Sequence, residues 1–187
     1  MTSQTEGSGY LVRAVRPHEW AAVKALRLDA LRDPVAPLAF LDTYEEAVAR
    51  PDSFWQDRAV GSGEGSERAR QFVAEAPDGT WAGTVTVLRE EPGTEDWSGA
   101  AVERRQGHVV GVFVRPGHRG NGLIGALFDA GVEWAWEWGA ERMRLFVHAD
   151  NGRAQGAYRR LGFAPSGLVV SFAKDETENE LEFVRER

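Results

Sequence analysis

The segment that most restricts the fold of this chain is residues 107–139, "GHVVGVFVRPGHRGNGLIGALFDAGVEWAWEWG". Its first part is apolar at successive positions rather than alternate ones, so the strand it predicts must be covered on both faces. Its last part repeats apolar residues at helical spacing. Ile124, Leu127, Phe128, Gly131, Ala135 and Trp138 share one face, and Gly139 ends the helix. A doubly covered strand requires a sheet with a layer on each side. Between strand and helix lies "GNGLIG", a match to G-x-G-x-x-G at a helix N-terminus, where backbone N–H groups collect to hold phosphate.

The flanking segments supply the layers. Residues 11–17 alternate as a strand does, and residues 18–33 place Trp20, Val23, Ala25, Leu26, Ala30 and Leu31 at near-helical spacing. The two prolines of "DPVAPLAF" break that helix. One or two short helical turns follow around Tyr44 and Trp55, and residues 61–70 read as a flexible connection. "QFVAEA" and "WAGTVTVLRE" flank the turn "PDGT" as a hairpin, and a longer loop over residues 91–106 carries Trp97. In "ERMRLFVHA" a further strand puts Met143, Leu145 and Val147 on one face and Arg144, Phe146 and His148 on the other. A short helix, "DNGRAQGAYRRLGF", and two last strands complete the order β-α-α-β-β-β-α-β-α-β-β. This predicts one α/β (α+β) domain over residues 10–187, with about seven strands and four helices. Residues 1–9, polar and small, read as a disordered tail.

Composition excludes several function classes. The formal net charge is −7, from 22 Lys+Arg against 29 Asp+Glu, and no basic stripe interleaves with aromatics, which argues against nucleic acid. There is no cysteine, so no thiolate nucleophile and no Cys-ligated metal. The four histidines lack zinc-type spacing, and no metal is expected. No secretory leader and no long uncharged apolar run stand in the sequence, so no membrane association and a cytoplasmic location are expected.

The glycine loop admits three readings. A dinucleotide-binding unit places its first glycine almost directly after the strand, continues into further βαβ units, and has an acidic residue about 20 positions on. Here "RPGHR" separates strand from glycine, a hairpin precedes the strand, and Asp150 falls too late. A helix start built of small residues for close packing accounts for the glycines alone. A pyrophosphate cradle accounts for Arg119 as well, because a guanidinium beside helix N-terminal donors suits that anion.

On these residues the chain resembles the GNAT superfamily of N-acetyltransferases, in its bacterial small-molecule and peptide form. Arg119, Gly120, Asn121 and Gly122 match the signature Arg/Gln-x-x-Gly-x-Gly/Ala after a strand ending in Val-x-Pro; Ile124 occupies the last position, with Gly125 one residue later. "NGRAQGAYRRLGF" resembles the family's later motif, with Asn151, Ala154, Tyr158, Gly162 and Phe163 in register. The likeness runs over residues 11–163. It implies a GNAT fold, a central mixed, mostly antiparallel sheet of about seven strands flanked by four helices and splayed between the fourth and fifth strands. It also implies acetyl-CoA as co-substrate and transfer of its acyl group to a primary amine by direct attack in a ternary complex. The absence of cysteine agrees, since a Cys acyl-enzyme is impossible.

The resemblance further implies residue roles. Backbone groups of Phe113 and Val114 would pair with the pantetheine arm, and an N–H near Phe113 would polarise the thioester carbonyl. Arg119, Gly120, Asn121, Gly122, Ile124 and Gly125 would receive the pyrophosphate. Asn151 would hold the arm from the other side, and asparagine equally suits a helix N-cap. Tyr158 would act as general acid toward a thiolate whose conjugate acid has a pKa of about 8.5. For the general base, Glu75, Glu103, His108, His148 or a water chain stay open, with His148 carried forward because it stands near its strand's C-terminal end. Phe40, Tyr44, Trp55, Trp97 and Phe172, beside Glu45, Glu46, Asp52, Glu95 and Asp96, would suit a cationic amine. A small-molecule amine is the expected acceptor, with a protein N-terminus or lysine as the alternative. A non-catalytic acyl-CoA sensor is the rival class, and a homodimer is left open.

Overall fold

The structure, a computed structural model, describes residues 3–4 and 9–187. The tail expected over residues 1–9 lies mostly outside them; within it, Ser3–Gln4 pairs antiparallel with Leu11 and Val12. Seven longer strands follow: β1 Leu11–Ala14, β2 Ala69–Glu75, β3 Trp81–Glu90, β4 Gln106–Val114, β5 Arg142–His148, β6 Ala164–Phe172 and β7 Asp175–Glu186. From the Ser3–Gln4 edge the sheet runs β1-β2-β3-β4-β5-β7-β6. Every pairing is antiparallel except β4 with β5. This is the mixed, mostly antiparallel sheet that the resemblance implies.

Among the described residues, six α-helices cover the two faces: α1 Trp20–Leu31, α2 Ala36–Ala39, α3 Tyr44–Ala49, α4 Asp52–Ser62, α5 Leu123–Glu137 and α6 Gly152–Arg160. Four were expected, and the difference lies in residues 36–62. Pro37 sits at the start of α2, where its missing N–H costs nothing, so the proline-rich stretch holds one helical turn. Thr43 and Glu46 form a capping box that starts α3: the Glu46 N–H donates to Thr43 Oγ1 at 3.2 Å, and the Thr43 N–H to Glu46 Oε2 at 2.8 Å. Pro51 precedes α4, which runs to Ser62 into the expected flexible connection.

Alternation in the strands sorts the core into two layers. Phe72 and Ala74 of β2 join Leu127, Phe128, Val132 and Ala135 of α5 on one face. Val73 of β2 and Phe113 of β4 join Val23, Leu26 and Trp55 from α1 and α4 on the other. β4 is thus covered on both sides, as its unbroken apolar run demands.

Two irregularities of β4 make the site. Pairing between β3 and β4 slips by one residue between Thr84–Phe113 and Thr86–Val110. The extra residue falls at Gly111, whose φ of +64° is open to glycine and strained for other residues. On its other side β4 pairs with β5 only at Gln106–Arg142, Gly107–Met143 and His108–Arg144, after which the two strands part.

Candidate active site

The gap between β4 and β5 widens into a cleft with two connected chambers of about 480 Å³ and 300 Å³. Phe40, Val112, Asn151, Ala154 and Tyr158 line both, so they mark the passage between them. The larger chamber reaches the N-terminus of α5 and the smaller reaches the bulge and the loop carrying Trp97.

At the larger chamber, Gly120 and Gly122 both have φ of +82°, and a Cβ on either would meet nothing within 4 Å. The turn conformation, not crowding, is what requires glycine there. The first backbone N–H of this stretch to find an acceptor is that of Ala126, on Gly122 O. The N–H groups of residues 120–125 find no backbone acceptor among the described residues, which leaves a nest of donors with the helix dipole behind it. Gly120, Gly122 and Ile124 line the chamber, whereas Asn121 turns its amide to Tyr10 Oη at 3.3 Å and Gly125 lies behind.

Arg119 is engaged on the protein side. Its Nη2 meets Asp33 Oδ2 at 2.6 Å, and its Nε donates to Val114 O at 2.8 Å. Burial works to raise the Asp33 carboxyl, and the Val35 N–H and Arg119 outweigh it, leaving it below its ordinary value. Arg153 and Arg160, which the sequence reading passed over, add cations to the same wall.

The parity of β4 corrects one expectation. The Arg115 N–H bonds Ala82 O at 2.8 Å, toward β3. Alternation then turns the polar groups of Phe113 toward β3 as well, and those of Val112 and Val114 toward the cleft. The free backbone edge belongs to Val112 and Val114, not to Phe113, whose ring packs in the core beneath α1.

Tyr158 stands at the junction of the chambers with its ring 5.7 Å from that of Phe128. Its hydroxyl bonds no protein group among the described residues, and burial pushes the phenol up to about 12. Asn151 caps α6, accepting the Ala154 N–H at 3.2 Å, and still lines both chambers.

His148 does not suit the part of a base. Its Nδ1 accepts the Asp150 N–H at 3.1 Å, which fixes the proton of the neutral ring on Nε2, 3.0 Å from Glu178 Oε2. Both nitrogens are occupied, and the ring is 1% exposed. Glu180, in the smaller chamber, has no such engagement among the described residues; burial raises its carboxyl above the ordinary value and outweighs the pull of His148. It was missed because "ENELEFVRE" reads as an ordinary charged strand. His108 also lines this chamber, its Nδ1 held 2.9 Å from Glu90 Oε1.

Below the point where the strands part, Arg144 ties the site together. Its guanidinium lies 2.7 Å from Glu90, 2.8 Å from Asp96 and 3.3 Å from Glu182. Asp96 also accepts N–H bonds from Ser98 and Ala100, so the ion pair fastens the Trp97 loop over the smaller chamber. The remaining aromatic and acidic residues expected around an amine are elsewhere: Trp55 and Phe172 are buried, and Glu45, Glu46, Asp52 and Glu95 are exposed. Phe40 and Trp97 are the two of that set in the chamber.

The sequence profile of the Acetyltransferase (GNAT) family matches residues 33–163. The chain belongs to this family. It is 31% identical over 174 residues to a streptothricin acetyltransferase of Streptomyces lavendulae, covering 88% of this chain and 86% of that one. It is 30% identical over 165 residues to a mycothiol acetyltransferase of Propionibacterium freudenreichii subsp. shermanii, and spans half of that relative's length. In fold, this GNAT chain is similar to RimL, a ribosomal L7/L12 alpha-N-protein acetyltransferase in complex with coenzyme A. The TM-score is 0.73, with 14% identity and coverage of 100% and 98% of the two chains. No helix among the described residues is long and apolar enough to cross a membrane.

Proposed function

We propose that this chain transfers an acetyl group from acetyl-CoA to the primary amine of a small molecule, both substrates being bound together. One observation carries the reading: two chambers of different chemistry meet at a single unengaged phenol, Tyr158. The larger chamber fits a pyrophosphate with a polar arm, since it offers the free N–H groups of residues 120–125, the cations Arg153 and Arg160, and the unpaired strand edge at Val112 and Val114. Acetyl-CoA, when bound, supplies an acyl group already activated as a thioester.

The protein's own groups supply the rest. The Val112 N–H, on the free edge beside the bulge, is the donor placed to hold charge that develops on a carbonyl oxygen. Tyr158 donates its hydroxyl proton toward a departing sulfur. Glu180 holds an ammonium and takes up its proton, a task for which a raised carboxyl is better matched than an ordinary one. Arg119 must exchange its bond to Val114 O for an outside partner if the whole edge is to be used. A panel of primary amines assayed for CoA release tests this reading. Saturable, amine-dependent release with intersecting double-reciprocal lines is expected; parallel lines, or release that ignores the amine, would overturn it.

A further inference from the structure

The smaller chamber carries two opposite charges that do not meet. Glu180 comes from β7, and Arg58 comes from α4, which packs over the same face of the sheet. Among the described residues no hydrogen bond or ion pair joins them, although both line this chamber. The neighbouring Arg27 is fully occupied: its guanidinium is bidentate on Asp42 and stacks 4.3 Å over the Phe40 ring. Arg58 has neither kind of partner. Among the described residues its side chain makes no hydrogen bond and no ion pair, although burial and the nearby cations Arg27 and Arg50 all act against its charge. Asp42 acts on it from nearby, but that carboxylate is spent on Arg27. Behind Arg58, a space of about 20 Å³ is shared with Gln71, whose buried Oε1 lacks a hydrogen-bond partner. A neutral amide oxygen can steady a guanidinium but cannot balance its charge.

A guanidinium stays protonated under any working condition, so a partly buried and unpaired one calls for an anion. In a chain with a net charge of −7, a local surplus of cations at the end of a substrate chamber is a specific feature, not a general one. We propose that the acceptor is a zwitterion, an amine that also bears a carboxylate, with its ammonium at Glu180 and its carboxylate on the guanidinium of Arg58. This rests on the reading of the smaller chamber as the amine site, and it narrows the acceptor to free amino acids and compounds built like them. A chamber of about 300 Å³, roofed by Trp97, admits such a molecule.

The test compares amino acids with the amines that lack only the carboxylate: tryptophan with tryptamine, phenylalanine with phenethylamine, and lysine with cadaverine. Specificity constants are measured by CoA release for the wild-type protein, Arg58→Gln and Arg58→Lys. At least one amino acid should exceed its decarboxylated partner by about 10- to 100-fold in the wild type, the range for a hydrogen-bonded charge pair. Arg58→Gln should bring the two within about threefold, and Arg58→Lys should restore part of the preference. Amines used as well as the amino acids, or a preference that survives Arg58→Gln, would overturn the proposal. If no compound is turned over, the acetyltransferase reading fails instead. Calorimetric titration of the same pairs into CoA-loaded protein then decides: amino-acid binding lost in Arg58→Gln supports the site, and absence of binding to the wild type overturns it. Circular dichroism and melting of each variant guard against a folding defect.

Discussion

Replacing Tyr158 by phenylalanine removes one hydroxyl and leaves the ring against Phe128. Because that hydroxyl has no protein partner among the described residues, its loss strands no other group, and any effect must come from the substrate side. With the phenol at about 12, complete proton transfer to a thiolate whose conjugate acid has a pKa of about 8.5 is uphill by about 3.5 units, or about 5 kcal/mol. Donation of a hydrogen bond to the developing charge is therefore the larger part of its action. Hydrogen bonds to charged groups contribute about 1.5–3 kcal/mol. At 1.36 kcal/mol per decade this predicts a fall in kcat of about 10- to 150-fold. Since the bond strengthens only as charge appears on sulfur, KM for acetyl-CoA should stay within about threefold. The measurement is steady-state CoA release at saturating amine beside thermal melting of both proteins. The same phenol also sets a pH expectation: its proton stays on until about pH 12, so kcat should show no alkaline decline from this group below about pH 10. An unchanged kcat in the folded variant, or an alkaline limb near pH 8.5 that vanishes with the hydroxyl, would refute the reasoning.

Glu180→Gln should lower amine-dependent kcat by about 100-fold and abolish an acid limb that, in the wild type, lies above the ordinary carboxylate range; an acid limb retained in the variant points to another base. His148→Gln, by contrast, should lower the melting temperature and leave the pH profile of kcat in place, since both ring nitrogens serve the fold. Gly120→Glu forces φ of +82° on a non-glycine residue and sets a carboxylate at the donor nest, so calorimetry should find acetyl-CoA affinity reduced at least tenfold; unchanged affinity in folded protein removes the loop from the cofactor site. Burial tends to raise Asp96, yet bonds from Arg144 and Ser98 bring it down to about 2, so its contribution is complete above pH about 3.8 and fades as pH falls through about 2. Asp96→Asn should therefore cost about 2 kcal/mol in urea unfolding at pH 7 and little at pH 2; an equal cost at both would show that the charge is not what matters.

What the sequence disclosed follows from which forces are local. The β3 boundaries, α5 with Gly139 behind it, and the division of β5 residues between its two faces were legible because period and punctuation act within a few residues. The three helices of residues 36–62 were not, because Pro37, Thr43 and Pro51 signal breaks and starts with equal force. Motif register pointed to Arg119 and Tyr158, which line the larger chamber, but not to the long-range partner Asp33 that holds Arg119, which stands 86 residues away. His148 looked available because nothing in "FVHADN" announces that Asp150 and Glu178 would close on its ring. Glu180 and Arg58 were invisible for the opposite reason. Charged residues in α4 and β7 read as solvated surface, and only the tertiary fold turns these two inward.

An unpaired strand is normally a hazard at the rim of a sheet, where it invites the strand of another chain. In this molecule the unpaired run of β4 lies in the interior, flanked by β5 and roofed by helices. A polypeptide strand with side chains on alternate faces has no way in. A slender, unbranched chain bearing a few amides does, and it can complete the ladder one bond at a time. Width thus does the sorting that sequence recognition does elsewhere: the backbone offers the same N–H and C=O groups to every comer, and the cleft decides which comers can reach them.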